Sequence, residues 1–236
     1  MRILALDTSS DLTAVAVADG ERVLAEDDAA SSDRHGEVLL PRIQAQLSAA
    51  GLSLSQIELI GVGLGPGSFT GLRVGVATAK GLALATGIPI CGVSSLEVIA
   101  RGVLDAAELA AVVLDAGRGE LCAAVYARAG DHPELVLPLL RAAPEVAAER
   151  VAEALRGTGS ALLCGSGARS HARAFAGALG GGVQLAEASR DTPRGRHVAA
   201  AARALLASQG AADRAALEPI YLRESDAKLP DEPLAL

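Results

Sequence analysis

A run of twenty residues, GVGLGPGSFTGLRVGVATAK (61–80), restricts the folds open to this chain more than any other stretch. Five glycines fall in its first eleven positions, between an apolar run and a run with helical spacing. A strand that breaks into a glycine loop and then a helix belongs to α/β architecture, and such loops often hold a phosphate at the helix N-terminus. The stretch matches neither common phosphate fingerprint. A P-loop needs G-x-x-x-x-G-K-[ST], and no lysine follows a glycine here. Gly63-Leu-Gly65 is followed by Pro66, Gly67 and Ser68, which fails G-x-G-x-x-G. Two readings stay open. Backbone N–H groups around Gly65, Gly67 and Ser68 gather an anion, or the glycines turn the chain and Ser68 or Thr70 caps the helix. Within the helix, Gly71, Gly75 and Gly81 alternate with Ala77, Ala79, Ala83 and Ala85. Each interior glycine costs about 1 kcal/mol relative to alanine. Close approach by another backbone, on the chain's own sheet or on another helix, is what would offset that.

The flanking sequence supports an α/β fold. Ile3–Leu6 reads as a strand, Asp7–Asp11 as a turn, Leu12–Ala18 as a strand, Asp19-Gly20 as a hairpin turn and Arg22–Ala25 as a third strand. Val38, Leu39, Ile43, Leu47 and Ala50 have helical spacing, Gly51 marks a stop, and Pro41 predicts a start or a kink nearby. Further strands are expected at 57–63 and 88–93. Helices are expected from the glycine loop to Thr86, with Gly87 as its cap, and from Ser94-Ser95 to Arg101. Val112–Asp115, a Gly/Arg turn and Leu121–Tyr126 then repeat the strand, Asp, turn, strand order of 3–17. That recurrence predicts two similar α/β halves, 1–105 and 106–236. The second would carry helices at 144–155 and 191–206, a strand at 161–164, a turn at Gly165-Ser-Gly167, and a polar, loosely held tail from Pro219 that is Pro-rich after Arg223.

Composition narrows the function. Half of the 236 residues are apolar and only 2% are aromatic, so the core must be built from Ala, Val, Leu and Ile. A net charge of −7 argues against binding nucleic acid through the overall field. No signal-peptide pattern and no long apolar run is present, which predicts a cytoplasmic protein without a membrane span. Cys91, Cys122 and Cys164 sit in apolar runs without C-x-x-C spacing and read as buried, reduced thiols. His35, His132, His171 and His197 include no i, i+4 pair, so no helical metal pair is predicted. Ser68 misses the G-x-S-x-G nucleophile elbow by one residue. Asp7 and Asp115 end strands beside turns. Such carboxylates can orient a hydrated magnesium between two lobes, or can cap their own turns.

GPGSFTGLRVGVATAKGLA (65–83) resembles the signature of the TsaB (YeaZ) family. ILALDTSS (3–10), SSDRHGEVLLPRI (31–43), GVSSLEVIA (92–100), LDAGRGELCAAVY (114–126) and PIYLRESDAK (219–228) extend the resemblance over most of the chain. It implies an actin-like ATPase (ASKHA, ribonuclease H-like) fold with two duplicated lobes. It also implies a subunit of the machinery that makes threonylcarbamoyladenosine in tRNA, with a catalytic paralogue, TsaD, and an ATPase, TsaE. In the paralogue a His-x-x-x-His pair after the glycine helix and its following strand binds a metal. Alignment on 88–93 puts Ser95 and Ile99 at those positions, and neither suits a metal. The resemblance therefore implies a non-catalytic scaffold without a cofactor. It binds TsaD through the glycine helix and the helix near 34–50, meets tRNA only within the complex through arginines such as Arg34, Arg73 or Arg118, and self-pairs when alone. Leu39, Ile43, Leu72, Arg73, Val76 and Lys80 are the expected interface, unless they face the chain's own sheet. The competing expectation is an ATP-binding or ATP-hydrolysing enzyme that uses Asp7, the glycine loop and Asp115.

Overall fold

The computed structural model describes residues 1–31, 34–130, 132–157, 159–179 and 184–221. Of the tail expected to be loosely held from Pro219, residues 219–221 are described and are held, with Ile220 N–H donating to Leu64 O at 2.7 Å, and the rest lies outside the described residues.

Two five-stranded mixed sheets form the frame. The first contains β1 (Arg2–Asp7), β2 (Leu12–Asp19), β3 (Arg22–Ala30), β4 (Leu59–Gly63) and β5 (Ile90–Val93), in the order β3-β2-β1-β4-β5. The second contains β6 (Leu109–Gly117), β7 (Glu120–Ala127), β8 (Glu134–Ala142), β9 (Ala161–Cys164) and β10 (Gln184–Leu185), in the order β10-β9-β6-β7-β8. Each sheet opens with an antiparallel meander of three strands and adds two parallel strands on the other side of its first strand. The repeat suspected around Asp7 and Asp115 is thus a repeat of whole-sheet topology. β1 and β4 read as continuous apolar runs because they are central strands buried on both faces.

The helices are α1 (His35–Ala49), α2 (Phe69–Thr86), α3 (Ser95–Arg101), α4 (Pro144–Ala154), α5 (Ser166–Ser170), α6 (Ala172–Leu179) and α7 (Gly195–Gln209). α1 and α2 pack on one face of the first sheet through Leu39, Ile43, Leu47, Val76, Ala79 and Ala83. α2 ends as expected, at Gly87 with φ 76°. α1 runs through Pro41 rather than starting at it. Ser166 and Gly167, expected within a turn at 165–167, instead open α5, and the sequence pattern predicts neither β8 nor α6. β8 escapes a pattern reading because it is an edge strand, mostly exposed and interrupted by Pro138.

The final helix departs from the expected division at 105/106. α7 follows the second sheet in sequence but covers the other face of the first one, where Val198, Ala199, Ala201 and Ala202 pack with Ile3, Ala5, Ala16 and Leu59. Small residues allow this. A Cβ on Gly61 would stand 2.7 Å from that of Ala202, and one on Gly195 would stand 2.8 Å from that of Ala16. The chain thus crosses between its two sheets twice, once before β6 and once before α7.

Candidate functional site

Asp7 ends β1 fully buried. Its Oδ1 accepts the backbone N–H of Ser9 at 2.7 Å and the Ser9 hydroxyl at 2.6 Å. Its Oδ2 accepts the hydroxyl of Ser95 at 2.7 Å, and that same oxygen of Ser95 accepts the N–H of Gly65 at 3.0 Å. Burial pushes the Asp7 carboxyl above the usual range, and the hydrogen bonds from Ser9 and Ser95 pull against it. Gly63 has to be glycine, because a Cβ there would lie 1.8 Å from Asp7 Oδ2. The cluster binds the end of β1, the glycine loop and the start of α3 into one buried latch. Asp7 thereby caps its own turn, one of the two roles the sequence leaves open for it.

The glycine loop closes on the β1–β2 turn. The N–H of Ser68 donates to Ser9 O at 2.7 Å, and Thr8 Oγ1 donates to Gly71 O at 2.7 Å. Added Cβ atoms at Gly67, Gly71 and Gly75 would meet Ser9 O, Thr8 O and Thr8 Oγ1 at 2.1, 2.0 and 2.3 Å. The Ser68 side chain caps α2 by accepting the N–H of Gly71 at 3.2 Å. The N–H groups of Gly65 and Ser68, two of the three expected to gather an anion, are engaged by the chain itself, as is that of Gly71.

Between the two sheets lies a cavity of about 880 Å³. Its walls are the β1–β2 turn (Ser9–Asp11), the loop Pro66–Phe69, the β6–β7 turn (Leu114–Gly117), Ser166, the segment Asp191–Pro193, Ile99 and Tyr221. Asp115 is exposed at its edge, and its Oδ1 accepts the Gly117 N–H at 2.6 Å, a turn cap as in the simpler reading. Asp191 accepts the Gly165 N–H at 2.8 Å and the Arg169 guanidinium. Gly165 and Gly65 occupy matching places after β9 and β4 with φ of 98° and 93°. Asp191 thus accepts the Gly165 N–H as Ser95 Oγ accepts that of Gly65, a parallel that sequence did not reveal because serine and aspartate share no pattern. Three aspartates and no lysine or arginine line the cavity among the described residues. At its mouth the Arg73 guanidinium lies 3.8 Å from the Phe69 ring centroid and donates to Tyr221 Oη at 3.2 Å.

The expected interface divides in two. Leu39, Ile43, Leu72 and Val76 are each 4% exposed or less, so in this structure they belong to the chain's own interior, a correction to their expected role. Arg73 is exposed, and Lys80 is half-buried with its Nζ donating to Leu217 O at 3.1 Å. The outer face of the helix pair is formed by other residues. Leu40 is 55% and Leu84 75% exposed. Gly36, Pro41, Ala45, Ala77 and Gly81 are exposed beside them, and Glu37 and Arg73 bring charge to the same side of the two helices. Ser95 is fully buried in its latch and Ile99 carries no donor atom, so this pair does not fit a metal. Among the described residues no group of three or more His, Cys, Asp or Glu is placed to hold a metal ion. Among them, too, no helix is long and apolar enough to cross a membrane.

A family model described as TsaD, tRNA N6-adenosine threonylcarbamoyltransferase, matches residues 28–229. The Escherichia coli tRNA threonylcarbamoyladenosine biosynthesis protein TsaB is 36% identical over 159 residues, 64% of this chain and 66% of that protein. The match to this relative thus spans slightly under two thirds of its length. The structure of YeaZ from Pseudomonas aeruginosa superposes with a TM-score of 0.79 at 26% identity, covering 94% of this chain and 99% of that one. A ROK hexokinase from Thermus thermophilus shares the fold alone, with a TM-score of 0.52 at 16% identity over 88% of this chain and 99% of its own.

Proposed function

Because the chain belongs to the TsaD-type family as one of its TsaB (YeaZ) members, we propose that it is the non-catalytic scaffold subunit of the cytoplasmic machinery for tRNA threonylcarbamoyladenosine, docking a TsaD-like catalytic paralogue through the outer face of α1 and α2. One observation carries the reading. A Cβ on Gly36 or Gly81 would meet nothing within 4 Å, although both lie inside helices. The chain's own packing does not account for those glycines, as it does for Gly71 and Gly75. A helix from a second molecule, approaching between Leu40 and Leu84, would account for them. The latch supports the non-catalytic role. Ser95 and Asp7 hold each other, so neither is presented to a substrate in this structure. A TsaE-like ATPase and tRNA engage the assembled pair, and the same face self-pairs into a two-fold dimer when the paralogue is absent.

The test is co-purification with the TsaD-like paralogue, with mass read by light scattering. Wild type should give a stable heterodimer. Leu84→Asp and Leu40→Asp should lose it with unchanged unfolding curves, because both side chains are exposed. A heterodimer that survives both substitutions would overturn the placement of the face. Absence of any complex with wild type would overturn the scaffold role.

A second reading, an ATP-binding or ATP-hydrolysing enzyme, is favoured by the size of the cavity between the sheets, which is in the range of nucleotide sites. Its carboxylate lining disfavours a triphosphate. Saturable ATP binding by the isolated chain would support this reading over the scaffold.

A further inference from the structure

The chain has two phenylalanines, two tyrosines and no tryptophan. Phe175 and Tyr126 are buried. Phe69 and Tyr221 are 40% and 41% exposed, and they meet at the N-terminal end of α2 with ring centroids 5.1 Å apart and a tilt of 44°. The segment after α7 brings Tyr221 there. Leu217 is buried in the core beneath α2, Lys80 Nζ donates to Leu217 O, and the Ile220 N–H donates to Leu64 O. Arg73 closes the cluster. Its guanidinium carbon lies 3.8 Å from the Phe69 centroid and 5.8 Å from that of Tyr221, and its Nε donates to Tyr221 Oη. Two exposed rings and a guanidinium are thus held in place before anything binds, so little side-chain freedom is left to lose on association.

We propose that Phe69, Arg73 and Tyr221 form a second anchor of the docking face, seating the TsaD-like paralogue at the N-terminal end of α2. The inference rests on the scaffold reading and extends it. Aromatic rings and arginine are the side chains on which interface energy concentrates. Helix geometry puts this cluster on the same face. Arg73, Ala77, Gly81 and Leu84 are all exposed and follow one another at steps of four, four and three, a stripe about 16 Å long. Leu84 stands at one end of that stripe and the aromatic cluster at the other. Size points the same way. A stable pair buries about 800 Å² on each partner, from roughly 20–30 residues. Leu40, Leu84 and the small residues beside them are too few, so the contact has to continue along the helices. Past Leu84, α2 offers only Ala85 and Thr86; towards its start it offers Arg73, Thr70 and Phe69. Arg73 keeps its hold on Tyr221 throughout, because a partner that covers the cluster buries the rings where they stand.

The experiment measures the dissociation constant of the heterodimer by titration calorimetry on the full chain, with urea unfolding of each variant in parallel. Phe69→Ala and Tyr221→Ala should each weaken the pair about tenfold or more. Phe69→Tyr and Tyr221→Phe keep the rings and should stay within about threefold of wild type. Val146→Ala shortens a comparably exposed apolar side chain on α4 and should change nothing. Wild-type affinity in both alanine variants, with Leu84→Asp unable to pair, overturns the anchor and leaves the scaffold reading in place. Absence of a heterodimer with wild type overturns both. Weakening that is matched by a lower unfolding midpoint in both alanine variants marks a purely structural role and overturns the anchor. Tighter binding by Tyr221→Ala overturns it as well, since the segment carrying Tyr221 would then compete with the partner. Binding of single-stranded oligoadenylate that Phe69→Ala abolishes, with the heterodimer intact, would assign the rings to RNA bases instead.

Discussion

Asp7 and Ser95 lie 88 positions apart and form one buried hydrogen-bonded unit. Removing the Ser95 hydroxyl deletes the donor to Asp7 Oδ2 and the acceptor for Gly65 N–H together. Ser95→Ala is therefore expected to lower stability by about 1–3 kcal/mol, since it leaves a buried carboxylate and a buried amide short of partners. Urea unfolding of the two proteins measures this, and an unchanged midpoint would show that the latch has no weight. Both residues were visible in the sequence, Asp7 as a strand-end carboxylate and Ser95 as a helix-capping hydroxyl. Their meeting was not, because nothing local couples the end of β1 to the start of α3. A carboxylate beside a turn looks the same whether its lone pairs face solvent or three donors.

α2 poses the same question at the scale of an element, since its glycines have two different causes. Gly71 and Gly75 face the β1–β2 turn with no space for a methyl group, while Gly81 faces outward into open space. Gly75→Ala forces Thr8 to move and is expected to destabilise the chain by about 1–3 kcal/mol through overpacking. Gly81→Ala introduces no contact and should stabilise the isolated chain by up to about 1 kcal/mol through helix propensity. Thermal unfolding of the two single variants separates these outcomes, and destabilisation by Gly81→Ala would refute the account of the outer face. The helix, its Ser68 cap and its Gly87 stop were all legible, because capping and termination are local chemistry. The direction of each face was not. With Leu, Val, Ala and Gly on every side, the apolar period marks no unique inner stripe. Leu39, Ile43, Leu72 and Val76 were assigned to a partner for that reason, and they belong to the interior.

For the whole molecule, the important joint is the return of α7 to the first sheet, where two carboxylates of β3 hold the helix N-terminus. Asp28 Oδ1 accepts the Gly195 N–H at 2.9 Å, and Glu26 Oε1 accepts the Arg196 N–H at 2.9 Å while Oε2 binds the Arg196 guanidinium. The two-half topology was legible from the repeated strand, Asp, turn, strand pattern. This return was not, because alanines that pack on the first sheet read the same as alanines that pack on the second. The joint should carry a pH signature. Burial pushes Asp28 up from 3.8 to about 6; the Gly195 N–H opposes the shift and the Glu26 charge adds to it. Between those values the folded chain holds a proton that the unfolded chain has released. The contribution of Asp28 is therefore full below 3.8 and is lost as pH rises through about 6. Glu26 is shifted downward, chiefly because the hydrogen bonds and charge of Arg196 outweigh its burial. Its contribution is instead lost as pH falls below its ordinary 4.5, so the two effects have opposite sign and only the Asp28 decline operates above that pH. Asp28→Asn keeps the acceptor for Gly195 and removes the titration. Its stability should match the parent near the low end of the Asp28 window, stay flat where the parent declines, and exceed the parent at about pH 7. Urea midpoints for both proteins across that range provide the measurement. Parallel curves would mean that the carboxylate pair does not govern how α7 is held.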